Sequence, residues 1–333
     1  MLRPQAEKPS RGWRRLLYNI TAGFLNLGPS EQELKERELV GRVKAPVGGF
    51  RRVAVISRKG GVGKTTTTLM LGHTFASWRG DRVVALDGNP DAGSLGYRVR
   101  RETTATVMDL LREAKSIDRY SDVRSFTSQA PTRLEVVASD DDPRISQALG
   151  EDDYKLLCEL LDHHYNLILL DTGTGILDSA TRGILDLADQ IIVVMAPSLD
   201  GARAASLTLD WLEEHGYDGL VEDAVAVINA VRPRGFVELG RVEEHFALRC
   251  REVIQIPWDP HLEAGAVTRL EDLRTASRSA YLRLAAAVAD GFPRRGSGRP
   301  APHADERRRT PVSKVATSPS MEPIVETRKV VTH

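Results

Sequence analysis

Eight consecutive residues, Lys59-Gly60-Gly61-Val62-Gly63-Lys64-Thr65-Thr66, set three glycines, two lysines and two hydroxyls in an order that suits a polyanion. Gly60, Gly61 and Gly63 allow backbone N–H groups to turn inward and approach phosphate oxygens, with Val62 and Thr66 belonging to the same cradle. The run follows a β-branched stretch and opens a helical pattern, so the positive end of a helix dipole adds to the site. Lys64 is placed to neutralise β- and γ-phosphates and the Thr65 hydroxyl to ligate Mg²⁺, which predicts ATP with Mg²⁺ as the bound species. A plain glycine turn would explain the glycines but not the agreement of strand, loop and helix.

Bound nucleotide and Mg²⁺ need carboxylates at strand ends to hold the metal's waters and position the attacking one. Asp87 closes the run Arg82–Asp87 and Asp171 closes Leu167–Asp171, so both are metal-side candidates. Capping or turn aspartates are the simpler alternative for each. Asn229 ends another apolar run, and Ile256-Pro-Trp-Asp-Pro260 follows a further one with a turn-like pattern. An asparagine at a strand end is more often a turn residue than a ligand contact.

The elements that must position these residues alternate along the chain. Short runs Arg52–Ser57, Arg82–Asp87, Leu134–Ala138, Leu167–Asp171, Gln190–Met195, Ala224–Asn229 and Glu252–Ile256 read as strands, with helical patterns between them. Several are apolar at both alternating positions, as central parallel strands are when helices cover both faces. The expected fold is α/β: a doubly wound, mostly parallel sheet of about seven strands with helices on both faces. Ligands in such sheets sit at the carboxyl ends of the strands. Composition divides the chain into an N-terminal helical segment (1–50), the nucleotide-binding domain (51–292) and a tail (293–333) rich in Pro, Ser, Thr and Arg. The tail is expected to be disordered, because it has few large apolar residues to offset chain entropy.

Within the N-terminal segment, Trp13, Leu16, Leu17, Ile20, Phe24 and Leu27 repeat at helical spacing beside Arg11, Arg14 and Arg15. Residues 11–27 could therefore lie on an anionic membrane or dock on protein. Asn19, Gly23 and Asn26 dilute the helix and favour docking. Gly28-Pro29 ends it, and Ser30-Glu-Gln-Glu33 reads as a capping box opening a second, short helix.

Charge and cysteine content bound the remaining possibilities. Lys plus Arg and Asp plus Glu both total 46, so no global positive field holds nucleic acid. The two cysteines, Cys158 and Cys250, lack metal-ligand spacing and read as reduced thiols filling space. Apolar runs fall short of a bilayer span, and the N-terminus lacks the apolar stretch of a secretory signal. A cytoplasmic protein is expected, with a peripheral place at the inner face of the membrane open through residues 11–27.

The run Arg58-Lys-Gly-Gly-Val-Gly-Lys-Thr-Thr66 resembles the deviant Walker A motif of the MinD/ParA family of P-loop ATPases, whose members dimerise face to face around two ATP molecules. The resemblance implies that Lys59 reaches across the interface to the partner's phosphates. Leu86-Asp-Gly-Asn-Pro-Asp-Ala-Gly-Ser-Leu95 is similar to the family's switch I, and Asp171-Thr-Gly-Thr-Gly175 to its switch II. Asn89 departs from the pattern, since it stands where the family usually has a water-activating aspartate. Its amide can orient water but cannot take up a proton, which implies slow hydrolysis unless Asp91 compensates. The implied catalytic set is Lys59, Lys64, Asn89 and Asp91. The resemblance also implies that Asn229 contacts the adenine edge and that the loop around Pro257 and Asp259 frames the base.

Gly12-Trp-Arg-Arg-Leu-Leu-Tyr18, Asn26-Leu-Gly-Pro-Ser30 and Ser57-Arg-Lys-Gly-Gly61 together resemble actinobacterial MinD-like ATPases associated with type VII (ESX) secretion systems. The implied function is a slowly hydrolysing switch that dimerises with ATP and recruits or regulates a protein partner, with the secretion apparatus as its candidate. The alternative is a ParA-like DNA-partitioning ATPase. That needs a local basic surface, for which Arg269, Arg274, Arg278 and Arg283 offer a stripe on the last helix, interrupted by Glu271 and Asp272. A metabolic enzyme spending ATP on a small substrate would need a second catalytic constellation, and the sequence offers none.

Overall fold

The computed structural model describes residues 8, 12–22, 24–89, 93–140, 149–175, 179–232 and 239–292. Asp91 and the tail from 293 onward lie outside the described residues. The elements run α1 (Gly12–Ile20), α2 (Glu31–Val43), β1 (Arg51–Ile56), α3 (Lys64–Trp78), β2 (Val83–Gly88), α4 (Val107–Glu113), α5 (Tyr120–Arg124), β3 (Ser128–Gln129), β4 (Glu135–Val137) and α6 (Glu151–Asp162). They continue β5 (Leu167–Thr172), α7 (Ser179–Leu187), β6 (Gln190–Met195), α8 (Leu199–Glu214), α9 (Asp218–Glu222), β7 (Val225–Val231), α10 (Leu239–Ala247), β8 (Glu252–Pro257), α11 (Pro260–Glu263) and α12 (Thr275–Asp290).

One sheet holds eight strands in the order β3-β4-β2-β5-β1-β6-β7-β8. All neighbours pair parallel except β3 with β4. The seven expected strands form within a residue or two of their expected limits. The eighth, β3, is a two-residue antiparallel edge strand, too short to carry any periodicity. Every residue of β2, β5 and β6 is buried, because the pleat sends alternate side chains into two separate cores. Val53 and Val55 of β1 join α3 and α12 on one face, while Ala54 and Ile56 join α6 to α10 on the other.

Helix α3 carries the phosphate-loop residues and is buried from Thr66 to Ala76. Its threonines tolerate burial by returning their hydroxyls to the preceding turn: Thr67 donates to the Gly63 carbonyl at 2.9 Å, Thr68 to Lys64 at 3.1 Å and Thr74 to Met70 at 2.7 Å. Gly72 lets α3 lie close to the sheet, since a Cβ there would stand 2.8 Å from Leu134 Cδ1 and 3.1 Å from Leu169 Cδ1.

Two expectations change at the chain ends. Helix α1 stops at Ile20 rather than continuing to Leu27, and Ala22 adopts φ 48° just beyond it. Leu16, Ile20, Phe24, Leu25 and Leu27 are exposed, while Leu17 is half-buried. The second helix begins as expected, with the Glu33 N–H donating to Ser30 Oγ at 3.2 Å, but α2 extends to Val43 and packs on α12. The Glu33 carboxylate accepts from Arg37 at 2.7 Å, one helical turn on. The basic stripe is also displaced. Arg269 and Arg274 precede α12, leaving Arg278 and Arg283 as its members on the helix. The Arg274 N–H is committed to Asp259 at 2.9 Å.

Gly72→Val is expected to destabilise the protein by about 1–3 kcal/mol, because the added branches overpack Leu134 and Leu169 beneath α3. A lowered denaturant midpoint at unchanged slope checks it.

Candidate functional site

Strand register assembles the site. Asp87 on β2 and Asp171 on β5 are direct partners across adjacent parallel strands, and Asp171 is also level with Val55 on β1. The loop leaving β1 therefore begins beside both carboxylates, at the carboxyl edge of the sheet. Gly63 closes this loop with φ 92°, in the left-handed region, and a Cβ on it would fall 2.0 Å from Asn229 Nδ2. Asn229 Nδ2 donates to the Val62 carbonyl at 2.8 Å, so a residue 167 positions away clamps the cradle. The pairing of β7 with β8 shifts between Ile228 and Val231, and Ala230 takes φ 57°, a strained conformation that accompanies the turn of Asn229 toward the loop.

The loop floors a cavity of about 550 Å³ lined by the cradle residues together with Asn89, Arg98, Asn229, Pro257, Trp258 and Asp259, among others. At its inner end Lys64 Nζ lies 3.3 Å from Asp171 Oδ1 and also donates to the Thr172 carbonyl. Thr65 Oγ1 donates to Asp171 Oδ2 at 2.6 Å, and Thr68 Oγ1 to Asp171 Oδ1 at 3.3 Å. Asp171 is thus fully buried with an ammonium and two hydroxyls around it. Asp87, also buried, accepts from the N–H groups of Leu95 at 3.0 Å and Asn89 at 3.3 Å and from Ser139 Oγ at 3.3 Å. Burial first, and the charge of Asp171 second, push its carboxyl up from the ordinary 3.8 to about 7.

At the outer end the exposed Lys59 ammonium pairs with Asp200 in the first turn of α8. The opposite wall is formed by Trp258, which is flanked by the guanidinium groups of Arg232 and Arg274 at 4.4 and 5.4 Å from the ring centroid. Asp259 caps α11, with Oδ1 accepting from His261 N–H at 3.1 Å. The structure therefore gathers Lys59 to Thr66, Asn89, Asn229, Pro257 and Asp259 around one cavity, with Asp171 and Asp87 beneath it. Thr68, Arg98, Arg232 and Trp258 join them without having been singled out from the sequence. Trp258 lies in the strand-end loop Ile256-Pro-Trp-Asp-Pro260, whereas the other three carry no local signal.

Among the described residues, no group of three or more His, Cys, Asp or Glu is placed to hold a metal ion by itself. The donor set of one hydroxyl, Thr65, beside one buried carboxylate, Asp171, fits Mg²⁺, which keeps several waters and takes the rest of its shell from phosphate oxygens.

Residues 50–216, half of the chain, match the AAA domain family. Over 289 residues the chain is 39% identical to the ESX-1 secretion-associated protein EspI of Mycobacterium tuberculosis, covering 86% of this chain but 43% of that protein. It thus spans less than half the length of that relative. Among solved structures, the ParA family ATPase from Chlorobium tepidum superposes with a TM-score of 0.61 at 17% identity, over 72% of this chain and 98% of that one. The septum site-determining protein MinD from Pyrococcus horikoshii, complexed with Mg-ADP, superposes with a TM-score of 0.58 at 19% identity, over 71% and 94%. Both share the doubly wound sheet seen here.

Because the folded state raises the affinity of Asp87 for a proton, it binds more protons than the unfolded chain between about pH 4 and 7. Asp87 therefore stabilises the nucleotide-free protein at the acid end of this window, and that contribution is lost as pH rises to about 7. Thermal melts across the window, with Asp87→Asn giving the flatter profile, check the sign.

Proposed function

The chain belongs to the AAA domain family and is a MinD/ParA-like P-loop ATPase, and from that premise we propose that it is an ATP-switched homodimer that recruits a protein partner. The observation that carries the nucleotide reading is the cluster of Lys64, Thr65 and Asp171 at the mouth of a glycine loop whose Gly63 admits no side chain. ATP enters with its phosphates on the loop, and the Lys64 ammonium exchanges the Thr172 carbonyl for β- and γ-phosphate oxygens. Mg²⁺, when bound, supplies charge neutralisation of the phosphates. Thr65 and Asp171 would hold it, and Asp87 on the neighbouring strand would hold its waters. Asn229 and the loop at Pro257 and Asp259 take the adenine.

Lys59 is the switch residue in this reading. Its tie to Asp200 is exposed and therefore weak, of the kind solvent screens readily. Release from Asp200 frees the ammonium for the phosphates of a second copy, which makes dimerisation depend on ATP. Asn89, or Asp91 from two residues on, positions the attacking water, and the missing carboxylate at 89 makes turnover slow.

The partner is proposed to be a component of a type VII secretion apparatus, on the strength of the similarity to the ESX-1 secretion-associated protein EspI. Among the described residues no helix is long and apolar enough to cross a membrane. A cytoplasmic location is proposed, with residues 11–27 as the segment that meets protein or the inner membrane surface. The proposed units are residues 1–50, 51–292 and 293–333. Nonspecific DNA binding is the weaker reading, because Arg269 and Arg274 do not share a helix face with Arg278 and Arg283.

Lys59→Ala is expected to keep wild-type ATP affinity yet lose the ATP-dependent doubling of mass in light scattering, whereas Lys64→Ala loses ATP binding itself in calorimetry. A Lys59→Ala protein that dimerises like wild type overturns the switch assignment.

Asn89→Asp is expected to raise single-turnover hydrolysis several-fold with ATP affinity nearly unchanged, since water activation acts in the transition state. An unchanged rate, with activity lost in Asp91→Asn, transfers the role to Asp91.

A further inference from the structure

Arg98 stands at the end of a short 3-10 turn, Gly96–Arg98, that follows the switch I-like segment, and its side chain lines the nucleotide cavity. Nη1 donates to Thr66 Oγ1 at 2.9 Å, while Nε is buried with no hydrogen-bond partner. Among the described residues no carboxylate lies within ion-pair distance of it. Burial disfavours its charged form, yet a guanidinium does not surrender its proton in a protein. The result is a desolvated cation, short of partners, facing a cavity built for an anion.

Its position around the loop identifies which part of the anion it meets. Thr65 and Thr66 are consecutive on α3, so their side chains diverge by about 100°. The Thr65 hydroxyl faces Asp171 and the metal side, whereas the Thr66 hydroxyl faces Arg98. The Arg98 carbonyl accepts from the Thr268 N–H at 2.9 Å, which ties it to the loop between α11 and α12, on the Trp258 side of the cavity. Arg98 therefore lies where the phosphate cradle, at Thr66, meets the Trp258 side of the cavity.

We propose that Arg98 binds the α-phosphate of the nucleotide, so that it fixes ADP and ATP alike and contributes little to the hydrolytic step itself. The inference rests on the cavity being a nucleotide site. The guanidinium keeps Thr66 as one partner and gives its remaining donors to phosphate oxygens, a charge-assisted contact.

Calorimetry of Mg-ADP and of a non-hydrolysable Mg-ATP analogue, on wild type, Arg98→Gln and Arg98→Lys, tests this. Arg98→Gln is expected to weaken both nucleotides by the same factor, about 10- to 100-fold, with Arg98→Lys falling between. KM for ATP rises to match while kcat at saturation stays within about twofold. The melting temperature of nucleotide-free Arg98→Gln is expected to equal or exceed that of wild type, which a purely structural role would lower. Wild-type affinity for Mg-ADP in Arg98→Gln, or a loss confined to the ATP analogue, overturns the assignment. A wild-type protein that binds neither nucleotide removes the nucleotide reading and this inference with it, and is distinguished by the wild-type titration alone.

Discussion

The contact between Lys64 and Asp171 is the constraint on which the rest of the site depends. Taking both charges out of water costs several kcal/mol per ion, and their attraction repays it only with further hydrogen bonds in place. Thr65, Thr68 and the Thr172 carbonyl supply those bonds. The cluster can exist because α3 is pressed against the sheet, which in turn requires Gly72 and the inward-turned threonines. Asp171 is the anion that holds the Lys64 ammonium and the Thr65 and Thr68 hydroxyls in place, so the side chains at the foot of the loop are fixed by the protein itself.

The second carboxylate is governed by the same geometry. Asp87 and Asp171 sit on adjacent strands at matching register, so neither escapes the other's field. Lys64 is the buried cation at this point of the site, and Asp171 holds it. Asp87 is left with two N–H groups and a hydroxyl, too little to offset its burial and the charge of Asp171, and its proton affinity rises.

Two surfaces remain available beyond the cavity. Lys59 and Asp200 mark its rim with an exposed ion pair, beside Leu199 and Leu207, which are exposed on α8. Leu16 and Ile20 of α1 and Phe24, Leu25 and Leu27 after it are likewise exposed, while α2, immediately downstream, is fastened to the body by Leu39, Val40 and Val43 and by the Arg42–Asp290 ion pair. The N-terminal segment is thus anchored at one end and presents an apolar surface at the other.

The sequence by itself determined what depends on neighbours along the chain. Glycines and lysine at fixed spacing specify the loop, β-branched runs buried on both faces specify a parallel sheet, and Asp87 and Asp171 end strands whose carboxyl edge is the only place such a sheet puts a ligand. The two-residue β3 and the early end of α1 escaped because neither has enough residues or regularity to show a period. Only the tertiary structure decided which distant residues complete the site. Asn229 reaches Val62, Arg98 reaches Thr66, and Trp258 lies between Arg232 and Arg274. Each contact joins segments separated by tens to more than a hundred residues or turns on a local strain such as that at Ala230. A residue type cannot announce such a contact, because its meaning comes from the strand order that brings the segments together.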